Sequence, residues 1–254
     1  KLGYDVEALN YPSWLPLQKI LPQVVTPGTA IAAITPTIAT QFNLPLHCQV
    51  CAGTTDSIAA FVASRAHSAG DAVTSLGSTL VLKLLSETRI ENADYGIYSH
   101  RFGDRWLVGG ASNTGGAVLR KFFTNAELAE LSAQIPADQE SPYDYYPLLK
   151  PGDRFPVNDS LLPPKLDPRP ESAIAFLHGL LESMARIEAR GYRLLETLGA
   201  TPLRQVLTAG GGATNSTWTA IRARQLGVPV QVAPQTEAAY GSALIGMQEL
   251  CKVK

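Results

Sequence analysis

Three glycine-rich segments each follow a predicted strand, and their residue types suit the binding of a phosphate or a nucleoside. They are Gly53-Thr54-Thr55-Asp56, the stretch from Gly109 to Gly116, and Gly210-Gly211-Gly212. Glycine lets backbone N–H groups approach a ligand closely, and a helix that begins behind such a turn favours an anion. One such segment is more often only a tight turn. Three of them in one chain favour a nucleotide-binding protein.

These segments do not match the two commonest nucleotide-binding motifs. Gly110 and Gly115 have the glycine spacing of a P-loop, but Gly116-Ala117 stands where that motif needs Lys followed by Ser or Thr. The cation that reaches the terminal phosphates is therefore missing from that position. The segment at 210–215 begins like the dinucleotide fingerprint but has Asn215 in place of the third glycine. The sequence therefore disfavours both a P-loop and a Rossmann fold.

Asp56 is the candidate acid–base residue. It follows a strand and a turn, and it opens a helix whose next residues, 58–62, are apolar. The helix dipole favours a negative charge at this position, which suits a general base that accepts a proton from a hydroxyl. The alternative is an acid that only caps the helix, and the local sequence alone favours that alternative.

Other residue types that could do chemistry lack the required spacing. Cys48 and Cys51 lie three positions apart in a predicted strand, so their side chains point to opposite faces, and no second Cys pair completes a zinc site. We expect two buried thiols. The His residues are scattered, and no Ser lies in a Gly-x-Ser-x-Gly elbow. The sequence therefore predicts no metal ligands and disfavours a serine hydrolase.

Charge and composition exclude several classes of partner. The 254 residues include 21 Lys and Arg and 22 Asp and Glu, a formal net charge of −1, so no basic surface is expected to bind nucleic acid or an anionic membrane. No apolar stretch approaches the roughly 20 residues that span a bilayer. Three Cys, an odd number, are typical of a reducing compartment. We expect a cytoplasmic protein, or a plastid protein if the source is a plant.

The predicted elements combine hairpins with units in which a strand, a glycine-rich loop and a helix follow one another. Runs rich in β-branched residues predict hairpins over 72–85 and 97–109, and shorter apolar runs predict strands at 29–32, 46–51 (buried), 205–208 and 228–232. Helical periodicity and capping signals, such as Thr124-x-x-Glu127, predict helices at 36–42, 57–65, 117–123, 125–131, 174–198, 216–226 and 237–250. This order predicts a mixed α/β architecture.

A long irregular segment separates the fourth and fifth of these helices. Residues 136–170 contain nine Pro, which excludes regular helix or central strand over most of their length. Loops of this length in compact domains are usually functional or flexible. We therefore expect a loop of one of these two kinds.

Two of the glycine-rich segments and two further motifs, taken in order, resemble the C-terminal half of an FGGY-family carbohydrate kinase, a member of the actin-like ATPase superfamily. The resemblance extends from about Gly28 to Leu250. The motifs that carry it are Gly53-Thr54-Thr55-Asp56, Ser75-Leu76-Gly77-Ser78-Thr79, Leu207-Thr208-Ala209-Gly210-Gly211-Gly212-Ala213-Thr214-Asn215 and Glu237-Ala238-Ala239-Tyr240-Gly241-Ser242-Ala243. It implies an actin-like, ribonuclease H-like α/β domain with a mixed sheet flanked by helices.

The resemblance also implies a role for each candidate residue. Asp56 corresponds to the catalytic base of the family's Gly-x-x-Asp turn, in which Gly53 and Thr54 border the nucleotide. The remaining candidates would border the phosphates or hold the nucleoside, with Trp218 walling the adenine. The phosphate-side residues are Gly77, Ser78, Gly110 and Gly115, and the nucleoside-side residues are Gly211, Gly212, Asn215 and Trp218.

The implied reaction is in-line transfer of the ATP γ-phosphoryl group to a sugar hydroxyl, with Mg²⁺ bridging phosphate oxygens. The chain most resembles cyanobacterial and plant kinases described as D-ribulose or xylulose kinase-like, so we expect a pentulose substrate, D-ribulose before D-xylulose. Lys150-Pro151-Gly152-Asp153-Arg154 replaces the family's Gly-Glu-Arg element. Two alternatives are a non-catalytic actin-like nucleotide-binding module and a structural fragment without activity.

The sequence is expected to be part of a longer protein. It begins at Lys1, its only Met are Met184 and Met247, and the family's N-terminal Asp-x-Gly-Thr phosphate loop is absent from it. The chain is either a processed product or a C-terminal part. We expect residues 1–63 to belong to the first lobe, 64–236 to form the second, nucleotide-binding lobe, and 237–254 to return to the first lobe. The missing N-terminal part is the expected partner, and the isolated chain is expected to be impaired in catalysis.

Overall fold

The computed structural model of the chain describes residues 3–16 and 20–248. The chain divides into two compact units, one made of residues 1–65 with 235–254 and the other of residues 66–234. These divisions lie within two residues of the boundaries expected from the sequence. That the units correspond to the two lobes of a kinase remains a prediction.

The first unit contains a two-stranded antiparallel ribbon. Strand β1 (Ala30–Ala33) pairs with β2 (Gln49–Cys51), and helix α1 (Pro36–Phe42) connects them. Proline at the first helical position begins α1 as predicted, and Asn43 ends it in the left-handed conformation with φ 52°.

The prediction of a buried strand at 46–51 was wrong. The strand is only three residues long, and the side chains of Leu46 and Val50 are 65% and 50% exposed. The reason is that β2 pairs only with β1, which is itself exposed, so no layer of the described first unit covers these side chains. Cys48 and Cys51 are accordingly half-buried free thiols rather than buried ones.

Two helices form the core of the first unit. Helix α2 (Asp56–Ala63) packs against helix α7 (Ala238–Gln248), and the approach is so close that a side-chain carbon on Gly241 would overlap the backbone of Ala59. A guanidinium N–H of Arg65 donates to the hydroxyl of Tyr240 at 2.6 Å. The helix that begins at Asp56 is thereby anchored by the last described helix; the predicted end of that helix at 250 lies outside the described residues.

The second unit is built on a six-stranded mixed sheet of order β5-β6-β4-β3-β7-β8. Strands β3 to β6 are antiparallel neighbours, whereas β7 and β8 continue the sheet in parallel with β3. The strands are Asp71–Leu76, Leu80–Ser86, Tyr98–Phe102, Arg105–Ser112, Gln205–Ala209 and Val230–Val232. Both predicted hairpins and the predicted mixed α/β architecture are confirmed.

Four helices accompany this sheet: α3 (Gly116–Phe122), α4 (Asn125–Ser132), α5 (Ala173–Thr197) and α6 (Ser216–Leu226). The capping box predicted at Thr124 is present, with hydrogen bonds in both directions between Thr124 and Glu127. Helix α5 is largely buried against β4, α4 and α6, because its apolar stripe faces the sheet. No helix in the described part of the chain has the length and apolar character needed to cross a membrane.

A buried ion pair and its hydrogen bonds tie four of these elements together. The Arg222 guanidinium of α6 makes two hydrogen bonds, of 2.6 and 2.7 Å, to the Glu188 carboxylate of α5, and a third to the hydroxyl of Thr208 in β7. The hydroxyl of Thr74 in β3 donates to Glu188 at 2.6 Å and lies 2.8 Å from the hydroxyl of Tyr192. These residues lie far apart in the sequence, and no motif there predicts the network.

A second charged cluster joins α5 and α6 to the start of the long loop. Glu182, which is fully buried, accepts hydrogen bonds from Arg224 and Gln225, and Arg224 also donates to loop carbonyls at residues 137 and 139. Burial alone would raise the pKa of Glu182, but the hydrogen bonds from Arg224 and Gln225 and the charge of Arg224 outweigh it and lower that pKa. His178 lies with its Nε2 atom 3.5 Å from this carboxylate.

The proline-rich loop contains no helix or strand, as predicted, but it is packed. Tyr145, Leu148 and Phe155 are among the buried side chains of the second unit, and isolated bridges join residues 146 to 165 and 153 to 159. Because these apolar side chains are buried, the loop forms part of the core of the second unit.

Candidate functional site

A cavity of about 650 Å³ lies in the second unit. Its walls are the turn between β3 and β4, helices α3 and α4, and the segment that joins β7 to α6. Volumes of this order are usual for sites that bind small molecules. Six of the residues predicted to bind a nucleotide line it: Gly77, Ser78, Gly211, Gly212, Asn215 and Trp218.

The turn between β3 and β4 supports the start of α3. The N–H of Gly116 donates to the carbonyl of Gly77 at 2.9 Å, and the N–H of Ala117 donates to the carbonyl of Ser78 at 3.1 Å. Gly115 has φ 140°, and a side-chain carbon there would lie 2.8 Å from the carbonyl carbon of Thr79. Only glycine fits this position, so Gly115 shapes the cavity wall without lining it.

The segment after β7 brings the backbone to the other side of the cavity. A side-chain carbon on Gly212 would lie 2.7 Å from the Leu76 side chain and 2.8 Å from the Trp218 ring, whereas one on Gly211 would meet nothing within 4 Å. Gly212 is therefore required for packing. Gly211 instead faces open space in the cavity, where a ligand can approach its backbone.

Asn215 and Trp218 form one corner of the cavity. The Asn215 side-chain oxygen accepts from the N–H of Trp218 at 2.9 Å, which caps α6, and its amide nitrogen donates to the hydroxyl of Ser132 in α4 at 2.8 Å. Both ends of the Asn215 amide are thus used to hold the wall. The Trp218 ring is buried, and among the described residues its indole N–H has no hydrogen-bond partner.

Asp153, which the sequence marks only as part of 150–154, ties the long loop to the end of β6. Its carboxylate accepts from the hydroxyl of Ser112, the N–H of Asn113 and the hydroxyl of Tyr146, at 2.6–2.8 Å. Burial and this hydrogen bond to Asp153 raise the pKa of Tyr146 well above its usual range. Asp153 therefore fixes the backbone that runs from β6 into Gly115.

Residues 72–250 match the FGGY family of carbohydrate kinases, C-terminal domain. The chain belongs to the FGGY family of carbohydrate kinases. This match and the mixed sheet flanked by helices confirm the resemblance and the fold class predicted from the motifs.

Comparison with known FGGY proteins shows how much of their length this chain spans. An L-fuculokinase of Salmonella typhi is 33% identical over 72 residues, which is 28% of this chain and 15% of that protein. Solved structures of a xylulose kinase from Rhodospirillum rubrum (21% identity, TM-score 0.75) and of Plasmodium falciparum glycerol kinase with ADP (13%, 0.72) share its fold. The matched regions include 92% and 91% of this chain but only 49% and 48% of those two proteins, so this chain spans about half of their length.

Gly110 does not line the cavity of this FGGY domain. It lies inside β6, which extends to Ser112, and it is buried where a side-chain carbon would come within 2.5 Å of the Phe155 ring. The turn that was expected over 110–115 is therefore confined to residues 113–115. A glycine in mid-strand is explained here by packing against the long loop.

Asp56, Gly53 and Thr54 lie in the first unit. Asp56 is the first residue of α2, it is exposed, and its carboxylate accepts from the N–H of Ser57 at 2.6 Å. Gly53 is also exposed, with open space where a side chain would be. The role of these residues as the FGGY catalytic turn remains a prediction.

The residues that line the cavity include no carboxylate. In the described part of the chain, no group of three or more His, Cys, Asp or Glu is placed to hold a metal ion. Mg²⁺ prefers oxygen ligands and commonly binds through carboxylates and substrate phosphates. These residues do not themselves form a Mg²⁺ site.

Proposed function

We propose that this chain is the C-terminal part of an ATP-dependent sugar kinase, and that the cavity of its second unit binds ATP. The observation that carries the proposal is the convergence of six residues, predicted as nucleotide contacts from two separate segments, on one cavity. The family membership supports a transfer from ATP to a sugar hydroxyl. A pentulose is the proposed acceptor, D-ribulose before D-xylulose.

The cavity walls suit the parts of ATP. The Trp218 ring is buried beside Gly212 and supports the apolar wall that we propose for a purine, and Gly211 leaves room for a close approach to the backbone. The Gly77-Ser78 turn supplies a hydroxyl and small residues of the kind that phosphate groups approach. Since the chain offers no Mg²⁺ site of its own here, we expect the ion to arrive with the phosphates of ATP.

Asp56 is the proposed general base. Its carboxylate is exposed at the first turn of α2, and one of its oxygens accepts a hydrogen bond from the N–H of Ser57. A base of this kind typically contributes about 10²–10⁴-fold to the rate. The proton it takes would be that of the attacking sugar hydroxyl.

The proposed partner of the first unit is the N-terminal part of the same protein. Relatives are about twice as long as this chain, and the described first unit exposes large apolar side chains at Ile31, Phe42, Leu46 and Val50. Exposed apolar surface of this kind marks interaction sites. We therefore expect the chain alone to bind nucleotide weakly and to transfer phosphate poorly. The proposed location is the cytoplasm, or a plastid if the source is a plant.

The test is ADP release from Mg-ATP by the chain joined to its N-terminal part, with D-ribulose, D-xylulose, glycerol or no sugar. We expect release that depends on a pentulose and that falls at least about 100-fold in Asp56→Asn while ADP binding is kept. Asp104→Asn, an exposed acid in a hairpin turn, is the matched control and should behave as wild type.

Two results would count against the proposal. Near-normal turnover of the Asp56→Asn variant would remove Asp56 as the base. Hydrolysis of ATP that no sugar stimulates would instead favour an actin-like nucleotide-binding module that phosphorylates no sugar.

A further inference from the structure

Arg120 stands out because, among the described residues that line the cavity, it is the one with a charged side chain. The remaining lining residues are glycine, small or apolar residues, and neutral residues with hydroxyl or amide groups, together with Trp218. A single cation in an otherwise neutral cavity gives that cavity a preference for an anionic ligand.

The position of Arg120 follows from helix geometry. Arg120 lies four residues after Gly116, and helical side chains tilt toward the N-terminus, so its side chain covers the first turn of α3. One guanidinium nitrogen donates to the hydroxyl of Ser78 at 2.9 Å, and the other lies 3.1 Å from where a side-chain carbon on Gly116 would be. The absence of a side chain at Gly116 therefore gives the guanidinium its place beside the Gly77-Ser78 turn.

The charge of Arg120 is not balanced by a neighbour. No carboxylate of the described residues lies within ion-pair distance of it, whereas Arg222 and Arg224 of the same unit each pair with a Glu. The side chain is exposed, so its charge remains hydrated and accessible from the cavity. Of its five N–H donors, the contact with Ser78 occupies one.

We propose that Arg120 binds the phosphate groups of the nucleotide in this cavity. The inference rests on the proposed function, because it assigns a residue to the nucleotide that the cavity is proposed to hold. A guanidinium offers phosphate two parallel hydrogen bonds as well as a charge. Arg120 thus supplies, from the end of α3, the cation that the segment 110–117 lacks at its P-loop lysine position.

The test compares ADP with adenosine, which has no phosphate, in calorimetric titrations of the chain and of three variants. Arg120→Gln is expected to bind ADP about 10- to 100-fold more weakly, the range for hydrogen bonds to a charged group, and adenosine with unchanged affinity. Arg120→Lys keeps the charge but cannot make the two parallel hydrogen bonds of a guanidinium, so its ADP affinity is expected to lie between those of wild type and Arg120→Gln. Raising the salt concentration should weaken ADP binding more in wild type than in Arg120→Gln.

Lys121→Gln is the matched control, because it removes the adjacent positive charge of α3, which does not line the cavity. Its ADP affinity is expected to change by less than about fivefold. Thermal unfolding of each variant establishes that the second unit is intact.

The outcomes separate this inference from the function on which it rests. If wild type binds ADP and Arg120→Gln binds it equally well, Arg120 does not hold phosphate, although the nucleotide site stands. Equal weakening of ADP and adenosine would show that Arg120 only supports the cavity wall, and would overturn the inference. If wild type binds neither compound, the proposed nucleotide site and the role of Arg120 both fail.

Discussion

The buried ion pair between Glu188 and Arg222 makes the strongest stability prediction for the second unit. The exposed fractions of these side chains are 1% and 0%, and the two hydrogen bonds between them are bidentate. Burial would lower the pKa of Arg222, but the charge of Glu188 and its hydrogen bonds outweigh that effect and raise it. Arg222 is therefore charged in the folded protein, and a guanidinium is not deprotonated in proteins when its partner is neutral.

Glu188→Gln removes the negative charge while nearly preserving the shape of the side chain. It leaves the Arg222 guanidinium buried without a counter-charge, a change that typically costs about 3–5 kcal/mol of unfolding free energy. For a unit of this size, about 1 kcal/mol shifts the melting temperature by roughly 2–4 °C, so a fall of roughly 6–20 °C is expected.

The assay is urea and thermal unfolding of the chain, followed by circular dichroism. Glu91→Gln is the matched control, because Glu91 pairs with Arg89 at 2.7 Å with both side chains about half exposed, and such pairs contribute only about 0–1 kcal/mol. The double variant Glu188→Gln with Arg222→Met should be less destabilised than the sum of the single variants. If Glu188→Gln destabilises the unit no more than Glu91→Gln does, the argument from burial is refuted.

Two further predictions concern the cavity wall and the response to pH. Gly211→Ala should leave stability unchanged and weaken ADP binding, because the added methyl group enters the open space of the cavity. Gly212→Ala should instead destabilise the unit, because its methyl group would contact the Trp218 ring. ADP titration and thermal unfolding of both variants check this, and an unaltered ADP affinity in Gly211→Ala would count against it. Burial lowers the pKa of His178 from 6.5, and the nearby Glu182 carboxylate offsets this only in part. Below about pH 6.5 the unfolded chain therefore binds a proton that the folded chain does not, so the unfolding free energy falls as the pH drops. Between pH 7.5 and 5.5, His178→Gln should lose less unfolding free energy than wild type. Equal losses would exclude His178 as a source of the effect.

Local sequence signals predicted the elements that shape the cavity. The Gly77-Ser78 turn, the capping box at Thr124 and the helix behind Asn215 each depend on residues a few positions apart, and each is present in the structure. The resemblance likewise assigned Gly212 and Trp218 to one nucleotide site, and both line the same cavity.

Contacts between distant residues could not be predicted in this way. Thr74 lies 114 positions from Glu188, and Asp153 lies 41 positions from Ser112, so no periodicity or spacing links them. The exposure of β2 and the packing of Gly110 on Phe155 also depend on which elements lie alongside them. Apolar runs and glycines have the same local appearance in buried and exposed settings.

The most direct test of the nucleotide site is a titration of the ¹⁵N-labelled chain with ADP, observed at the indole N–H groups of its three Trp. The indole N–H of Trp218 is buried at the cavity and has no hydrogen-bond partner among the described residues, whereas Trp14 and Trp106 do not line the cavity. We predict that ADP shifts the Trp218 resonance and leaves those of Trp14 and Trp106 in place. An unchanged Trp218 resonance at saturating ADP would contradict the proposal that this cavity binds a nucleotide.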